Sequence, residues 1–548
     1  MTSDDRLFPV LQPVQIERLA RHGERRRVRA GEILFEQGAR NDNFFVVLSG
    51  AMEIVRPGAA GETLITVHEA GQFSGDVDLV FGRNAIVQGR MREDGELLAL
   101  PRARLMSVVQ TDPELSEILM RAFLLRRAGL IKEGAGDAVV VGSRHSPDTL
   151  RIKEFLSRNG RPYESIDVET DPGVQAFLDR FGVRIEEIPF VICRGTLLLK
   201  NPSNAEVSDC FGFNAGIDKR AVRDLVVVGA GPAGLAAAVY GASEGLDVLV
   251  METGAPGGQA GTSMRIENYL GFTNGISGQE LMARAFTQAE KFGAGVAVAC
   301  GAVTIDCARK PYRIETTSGK TVEARSVIIA TGVQYRRPPF PGLERFEGTS
   351  AHYAATNLEG QLCAGSEIAV VGGANSAGQA VSFLSRTARQ VHLIVRRAGL
   401  AETMSRYLIR TVEDAPNVTL HAQSQVESLE GEGNRLERIT WRNHATGERT
   451  TREVQHLFLM IGATPNTAWL KGCVPLDEKG FVKTGLDLTP ADLTGAHWPL
   501  ARSPFQLETA LPGIFAVGDV RAGSMKRVAA AVGEGSACVA LVHRTLNE

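Results

Sequence analysis

The sequence lacks paired cysteines, long apolar runs and an excess of charge of either sign. Its seven cysteines are scattered over 548 residues with no C-x-x-C spacing. This pattern predicts small buried side chains rather than a disulfide framework or a metal site. No run approaches 18 uncharged apolar residues and the start shows no signal-peptide pattern, so we expect a cytoplasmic protein without membrane contact. A net charge of −3 argues against a nucleic-acid partner.

The length and the glycine content indicate several domains. A chain of 548 residues exceeds what one hydrophobic core supports, and three or four domains are expected. Its 59 glycines are typical of folds in which backbone approaches phosphate closely. The predicted fold class is multidomain, with an N-terminal β-barrel, a small α/β domain and two Rossmann-like α/β domains.

The first 212 residues predict two of these domains. Residues 1–130 contain short β-rich runs separated by glycines, followed by one helical stretch over about 103–130. Residues 137–212 predict strands at 138–142, 163–168 and 189–193 with helices at 148–159 and 172–181. Cys193 falls within the last of these strands, where we expect it to be buried.

A first glycine-rich turn follows a predicted strand in the C-terminal half. The apolar run Leu225–Val228 leads into G-A-G-P-A-G and then a helical segment, and Glu252 ends the next strand. Such glycines allow a tight turn and close approach of a pyrophosphate, while the acid binds ribose hydroxyls. The pattern predicts dinucleotide binding by Gly229, Gly231, Gly234 and Glu252.

A second turn has the same form and the opposite charge. Strand 368–371 leads into G-G-A-N-S-A, and the following strand ends at Arg396 and Arg397 instead of an acid. Guanidinium groups there favour the 2′-phosphate of NADPH over NADH. The predicted NADPH residues are Gly372, Asn375, Ser376, Ala377, Arg396 and Arg397. The alternative is that both arginines are a solvated strand end.

Residues 221–548 resemble the low-molecular-weight thioredoxin reductase family over their full length. The resemblance implies an FAD domain formed by 221–337 and 466–548, an NADPH domain over 338–465 inserted within it, and a homodimer. The motifs that carry it are Gly257-Gly258-Gln259, Ile266-Glu267-Asn268-Tyr269, Ala330-Thr331-Gly332, Ile461-Gly462-Ala463-Thr464-Pro465-Asn466-Thr467 and Gly513-Ile514-Phe515-Ala516-Val517-Gly518-Asp519.

The same resemblance implies further contacts with the flavin. Asp519 is expected to hold the ribitol, and the helix that begins at Arg527-Val528 is expected to direct its N-terminus at the pyrimidine edge. Gly258, Gln259 and Asn268 are expected around the flavin. For the last two, a role as ordinary turn residues is the alternative.

The cysteine pair of that family is missing. Its C-A-T-C-D segment aligns with Ala354-Ala355-Thr356-Asn357-Leu358, which leaves no thiolate to exchange with a disulfide. No side chain is therefore assigned as a catalytic acid, base or nucleophile. The expected electron acceptor lies outside the chain: an electron-transfer protein, a quinone or dioxygen.

The small α/β domain resembles a glutaredoxin or thioredoxin fold without its redox cysteines. Ile188-Pro189 stands at the position of the cis-proline of that fold, and the expected C-P-x-C turn is Ser146-Pro147-Asp148-Thr149. Serine and threonine preserve shape but not redox chemistry. We expect this domain to serve as a docking platform.

Residues 8–128 resemble the cyclic-nucleotide-binding domain of bacterial regulators and cyclic-nucleotide-dependent kinases. The resemblance rests on Gly31–Gly38, Phe44–Gly50 and Phe73–Asp76. It implies ligand candidates Gly75, Asp76, Arg83 and Asn84, with aspartate in place of the family's ribose-binding glutamate. A cyclic nucleotide, another small ligand and a ligand-free, partner-binding barrel all remain open.

The sequence thus predicts an NADPH-dependent FAD oxidoreductase of the thioredoxin reductase type, with an N-terminal regulatory domain. A first alternative is a reductase of an external thioredoxin-like disulfide protein. A second is a flavin and nucleotide sensor that does not turn over.

Overall fold

The computed structural model describes residues 7–58, 61–82, 84–132, 138–170, 187–193, 197–214, 222–263, 265–355, 357–470 and 472–548. The chain divides into two compact units. Unit 1 comprises Met1–Ser143, Phe155–Arg220 and Thr287–Cys300; unit 2 comprises Arg144–Glu154, Ala221–Phe286 and Gly301–Glu548.

Two antiparallel sheets form the N-terminal part of unit 1. One has the strand order β1-β7-β3 and the other β2-β6-β4-β5. Their inner faces share a core that includes Phe45, Met52 and Leu97. The strands are β1 (Glu24–Val28), β2 (Ile33–Phe35), β3 (Asn43–Ser49), β4 (Met52–Gly58), β5 (Gly61–His68), β6 (Gln88–Met91) and β7 (Gly95–Pro101).

The helices of this part are α1 (Pro13–Ala20), α2 (Val77–Phe81), α3 (Arg102–Thr111) and α4 (Pro113–Lys132). The helical stretch predicted over about 103–130 is confirmed, but it is divided into two helices, because the chain breaks between α3 and α4. Asp112 has extended dihedral angles (φ −111°, ψ 100°). Proline has no backbone N–H and disfavours the helical conformation of the residue before it, so Pro113 starts a new helix.

A four-stranded sheet of order β11-β10-β8-β9 follows in unit 1. The strands predicted at 138–142, 163–168 and 189–193 are confirmed within one residue, whereas the helix predicted at 172–181 lies outside the described residues. The elements of this region are β8 (Ala138–Gly142), α5 (Pro147–Arg158), β9 (Tyr163–Asp167), β10 (Phe190–Cys193), β11 (Leu197–Lys200) and α6 (Asn204–Phe211).

The cysteine prediction is wrong for four of the seven cysteines. Cys193 is buried in β10 as expected, but it forms a disulfide with Cys210 of α6. Cys307 and Cys473 of unit 2 form a second disulfide across 166 residues of sequence. Spacing gives no sign of such partners, because the fold alone brings them together. Cys363 and Cys538 are buried free thiols.

The first dinucleotide turn of unit 2 belongs to a sheet in which β13, β12, β17 and β28 run parallel. Antiparallel β16 and β15 extend its other side. The elements up to the inserted domain are β12 (Val222–Val228), α7 (Pro232–Ser243), β13 (Val248–Met251), α8 (Gly278–Lys291), β14 (Gly295–Ala297), β15 (Ala302–Asp306), β16 (Tyr312–Thr316), β17 (Thr321–Ile329) and β18 (Val333–Tyr335).

The second turn belongs to a parallel sheet of order β19-β26-β20-β21-β22. The antiparallel sheet β23-β24-β25 accompanies it, and β18 pairs with β27 where the chain enters and leaves the insertion. The elements are β19 (Ala351–His352), α9 (Asn357–Leu362), β20 (Glu367–Val371), α10 (Asn375–Leu384), β21 (Gln390–Ile394), α11 (Arg406–Glu413), β22 (Val418–His421), β23 (Ser424–Glu432), β24 (Arg435–Asn443), β25 (Arg449–Glu453), β26 (His456–Leu459), β27 (Ala463–Pro465), α12 (Pro490–Gly495), β28 (Ile514–Ala516) and α13 (Val528–Leu546).

Among the described residues, no helix combines the length and apolar character needed to cross a membrane. The same part of the chain contains no group of three or more histidine, cysteine or acidic side chains placed to hold a metal ion.

Candidate functional site

The first glycine turn places the N-terminus of α7 at the end of β12. Gly229 has φ +109°, and a Cβ there would overlap the carbonyl oxygen of Ala330. Gly231 is the N-cap of α7 and brings no side chain to cover the first turn. The free N–H groups and the helix dipole therefore suit an anionic pyrophosphate.

Glu252 lies beside this turn, as the sequence predicts. Its carboxylate accepts hydrogen bonds from the backbone N–H groups of Ala230 (3.0 Å) and Gly254 (2.9 Å). These charge-assisted bonds fix the acid at the end of β13. Its position fits a ribose contact.

The Gly257-Gly258 segment reaches the same turn. The N–H of Gly257 donates to the carbonyl of Ala230 (2.7 Å), and a Cβ on Gly258 would lie 3.1 Å from the Cα of Gly231. Gln259 donates its side-chain amide to the carbonyl of Val333 (2.6 Å), so it ties two loops together. Asn268 is exposed in the structure.

Asp519 lies in the 3₁₀ turn Gly518–Val520, near α7. The side chain is half-buried, and burial raises its pKa, against the opposing effect of Lys526. The N–H of Gly518 donates to Glu534 (2.7 Å), which also pairs with Arg521 (2.6 Å). Sequence reasoning missed this Arg521–Glu534 pair, because neither residue belongs to a recognised motif.

The helix α13 begins at Val528 as predicted. Arg527 is its N-cap and makes no side-chain capping hydrogen bond to the described chain. Farther along, a Cβ on Gly535 would overlap the carbonyl oxygen of Ala233, so α13 and α7 pack in close backbone contact. Two uncapped helix N-termini, an acid and close-packed glycines together fit an FAD molecule.

The second glycine turn repeats this geometry in the inserted domain. Gly372 has φ +144°, and a Cβ there would overlap the carbonyl oxygen of Met460. The side-chain oxygen of Asn375 accepts hydrogen bonds from the N–H (2.7 Å) and hydroxyl (2.9 Å) of Ser405. Asn375 therefore joins the N-termini of α10 and α11. Ser376 is exposed on the first turn of α10, and Ala377 is buried behind it.

Arg396 and Arg397 are both exposed just beyond β21. Arg397 forms an ion pair with Glu402 (2.7 Å) that the sequence did not reveal. The pair is exposed and therefore weak in water. A 2′-phosphate can compete for this guanidinium, and the site fits NADPH.

The position of the missing dithiol carries no thiol. Ala354 is half-buried and Ala355 is buried, while Thr356 and the side chains of Asn357 and Leu358 lie outside the described part. The nearest cysteine in sequence, Cys363, is fully buried, and burial raises the pKa of its thiol far above the usual range. A thiol held in its protonated form does not act as a nucleophile.

Two of the four N-terminal candidates line a cavity of about 370 Å³. Gly75 and Asp76 line it, and Asp76 also caps α2 by accepting a hydrogen bond from the N–H of Asp78 (3.0 Å). Asn84 is half-buried and bridges to Arg40. Arg83 lies outside the described residues. The cavity also contains Arg126, which sequence reasoning did not select.

Residues 223–535 match the family described as pyridine nucleotide-disulphide oxidoreductase. The chain belongs to that family. Residues 25–112 match the cyclic nucleotide-binding domain, which confirms the resemblance seen in the N-terminal sequence. The family assignment makes the protein an FAD-dependent NADPH oxidoreductase of the thioredoxin reductase type, as predicted.

Curated relatives and solved structures agree with this assignment. NADPH-dependent thioredoxin reductase 3 of Arabidopsis thaliana is 32% identical over 63% of this chain, which spans 64% of that protein. Thioredoxin reductase of Bacillus subtilis is 31% identical over 60% of this chain and 96% of its own length. The crystal structure of Lactococcus lactis thioredoxin reductase in its FR conformation has a TM-score of 0.53 at 27% identity, covering 59% of this chain and 99% of that one.

This family uses FAD and NADPH, so both predicted cofactors are confirmed. Thioredoxin reductase of T. acidophilum gives the same TM-score of 0.53 at 27% identity, over 60% of this chain and all of that one. These similarities confirm the Rossmann-like α/β fold that was predicted for the C-terminal part of the chain.

Proposed function

We propose that this protein oxidises NADPH and passes the electrons through FAD to an acceptor outside the chain. Bound FAD supplies the two-electron relay between the nicotinamide and that acceptor. The observation that carries the proposal is the combination of two dinucleotide turns with the segment 354–358, in which Ala354 and Asn357 stand where the family has its two cysteines. The machinery for taking hydride from NADPH is kept, while the internal dithiol relay at this position is gone.

The roles that we propose for the domains follow the sequence prediction. Residues 221–337 and 466–548 bind FAD through Gly229, Gly231, Gly234, Glu252, Gly258, Gln259, Asn268, Asp519, Arg527 and Val528. Residues 338–465 bind NADPH through Gly372, Asn375, Ser376, Ala377, Arg396 and Arg397. Residues 137–212 form a thioredoxin-like docking domain, residues 1–130 regulate the enzyme, and two copies of the chain form the active dimer.

The two disulfides of the structure require a test that counts electrons. Cys193–Cys210 and Cys307–Cys473 could each accept two electrons, as FAD does. In an anaerobic titration with NADPH, we expect one equivalent per FAD to bleach the visible flavin band completely. If either disulfide were the electron acceptor, further equivalents would be consumed first and new thiols would appear.

Paired variants identify which disulfide is responsible if extra equivalents are consumed. C193S/C210S and C307S/C473S each remove one disulfide, and each should leave the stoichiometry at one. A variant that lowers a stoichiometry of two to one would contradict the proposal. Failure of NADPH to bleach the flavin at all would favour the sensor alternative.

A second candidate function is reduction of an external disulfide protein. The names of the relatives favour it, since both are thioredoxin reductases. Steady-state oxidation of NADPH should then depend on an added thioredoxin-like protein and stop when the cysteines of that protein are replaced by serine. This second function is excluded if NADPH is oxidised in the presence of quinone or ferricyanide and not in the presence of the disulfide protein.

A further inference from the structure

The cavity of the N-terminal domain is enclosed mainly by apolar side chains. It has a volume of about 370 Å³, within the range of small-molecule sites. Its apolar wall comes from the sheet β2-β6-β4-β5 and the segment before β6, from the start of the described chain and from α2, and comprises Leu7, Phe8, Phe35, Ile54, Leu64, Ile65, Leu79, Ala85, Ile86 and Val87.

One guanidinium from α4 enters this wall. Arg126 is only 9% exposed, and its Nε and Nη1 donate to the carbonyl oxygens of Leu7 (3.0 Å) and Gly75 (2.8 Å). The rings of Phe8 and Phe73 lie 5.2 and 4.8 Å from its guanidinium carbon. These contacts fix the side chain, while its Nη2 has no hydrogen-bond partner among the described residues.

A second buried nitrogen belongs to the same wall. His68 of β5 is 2% exposed, and its Nδ1 also has no partner in the described part of the chain. Burial, assisted by the positive charge of Arg126, lowers the pKa of His68 to about 3, so the ring is neutral at physiological pH. A buried polar nitrogen without a partner is destabilising, and a hydrogen bond to a ligand oxygen would remove that cost.

The charges that face the cavity leave room for one anion. Arg126 and Arg56 are positive, Asp76 is negative and His68 is neutral. The net charge of the wall is therefore positive by one. Asp76 already uses one oxygen to cap α2, and no other acid lines the cavity among the described residues.

We propose that this cavity binds a small organic carboxylate with an apolar body, and that Arg126 anchors the carboxylate with His68 beside it. A carboxylate has only acceptor oxygens, which match Nη2 of Arg126 and a protonated Nδ1 of the neutral His68 ring. Asn41, Thr63 and Thr66 also line the cavity and could pair with ribose hydroxyls, so cyclic nucleotides are the competing probes in the test.

Isothermal titration calorimetry on the full-length, FAD-containing protein tests this. The probes are octanoate and indole-3-acetate, with octanamide and indole-3-acetamide as neutral analogues and cyclic AMP and cyclic GMP as competitors. We expect the acids to bind at least tenfold more tightly than the amides. Binding of the cyclic nucleotides with no binding of the acids would overturn the proposal, as would equal binding of acids and amides or no binding of any probe.

Variants test the anchor. Arg126→Gln should weaken binding of the acids at least tenfold, and the matched control Arg121→Gln, exposed on the same helix, should leave it unchanged. Native-like binding by folded Arg126→Gln would refute the anchor. If the Arg126→Gln variant does not fold, Ala85→Leu provides a second test. The larger side chain fills the cavity from another part of its wall and should abolish binding. Undiminished binding by that variant would place the ligand elsewhere and refute the site.

Discussion

The two dinucleotide turns of unit 2 share their backbone and differ in their charges. Gly229 and Gly372 both have positive φ, and both lie where a Cβ would overlap a carbonyl oxygen of a neighbouring strand end. After the first turn, Glu252 is held by backbone N–H groups; after the second, Arg397 is held only by an exposed glutamate. In the function that we propose, the backbone suits dinucleotides in general, and the side chain at the end of the next strand distinguishes FAD from NADPH.

The largest effect is expected where α13 meets α7, in the half of unit 2 that we propose binds FAD. Gly535→Ala should cause loss of most of the bound FAD and lower the free energy of unfolding by several kcal/mol, because the new Cβ would overlap the carbonyl of Ala233. The flavin-to-protein absorbance ratio and a thermal melt measure both effects.

Gly533 supplies the matched control on the same helix. A Cβ at Gly533 meets nothing within 4 Å. Gly533→Ala should retain FAD and gain up to about 1 kcal/mol of stability from its higher helix propensity. Equal behaviour of the two variants would show that the close approach of the helices is not what holds the flavin site.

The next effect concerns the cationic end of the second turn. The double variant Arg396→Ala/Arg397→Ala should raise the KM for NADPH roughly 10- to 100-fold and leave the KM for NADH unchanged, because only NADPH carries the 2′-phosphate. Steady-state kinetics with both nucleotides measure the ratio. Arg386→Ala, exposed at the other end of α10, is the control. An equal rise in the KM values for NADPH and NADH would mean that the arginines attract both nucleotides by their charge and do not recognise the 2′-phosphate.

The smallest effect is a difference in acid stability between the two halves. Two histidine pairs, His352–His456 and His392–His421, lie within residues 338–465, the half that we propose binds NADPH (the NADPH half). Burial lowers the pKa of His352 to about 3 and of His421 and His456 to about 4. These rings stay neutral in the folded state, whereas the unfolded chain takes up protons below about pH 6.5. The free energy of unfolding should therefore fall as the pH drops from 6.5 towards 4, by about 2 kcal/mol at pH 5 for each fully buried ring.

Trp441 reports on this half, since its ring centroid lies 4.7 Å from that of His421. In a Trp469→Phe/Trp498→Phe background, its fluorescence should show denaturation of the NADPH half at lower urea concentration at pH 5 than at pH 7.5. Release of FAD fluorescence should shift less. If the urea midpoints of both signals shift equally between pH 7.5 and pH 5, the two halves unfold together or protonation of the histidines does not affect stability.

Local patterns made much of the site predictable. A strand, a glycine turn and a helix follow one another within a few residues, so the positions of Gly229 and Gly372 could be derived from sequence order, whereas the start of α13 came from the family resemblance. The break between α3 and α4 was equally local, and attention to Pro113 would have found it. The disulfides could not be predicted in this way, because 17 and 166 residues separate their cysteines.

The sequence by itself determined the family, the two nucleotide turns, their opposite charges and the loss of the thioredoxin reductase cysteines. Each of these depends on residue type and short spacing. Only the tertiary structure decided that Asn375 joins two helices, that Glu402 pairs with Arg397, and that Arg126 and His68 line one cavity. These contacts join residues from separate elements, and their energies come from burial and geometry that exist only once the chain has folded.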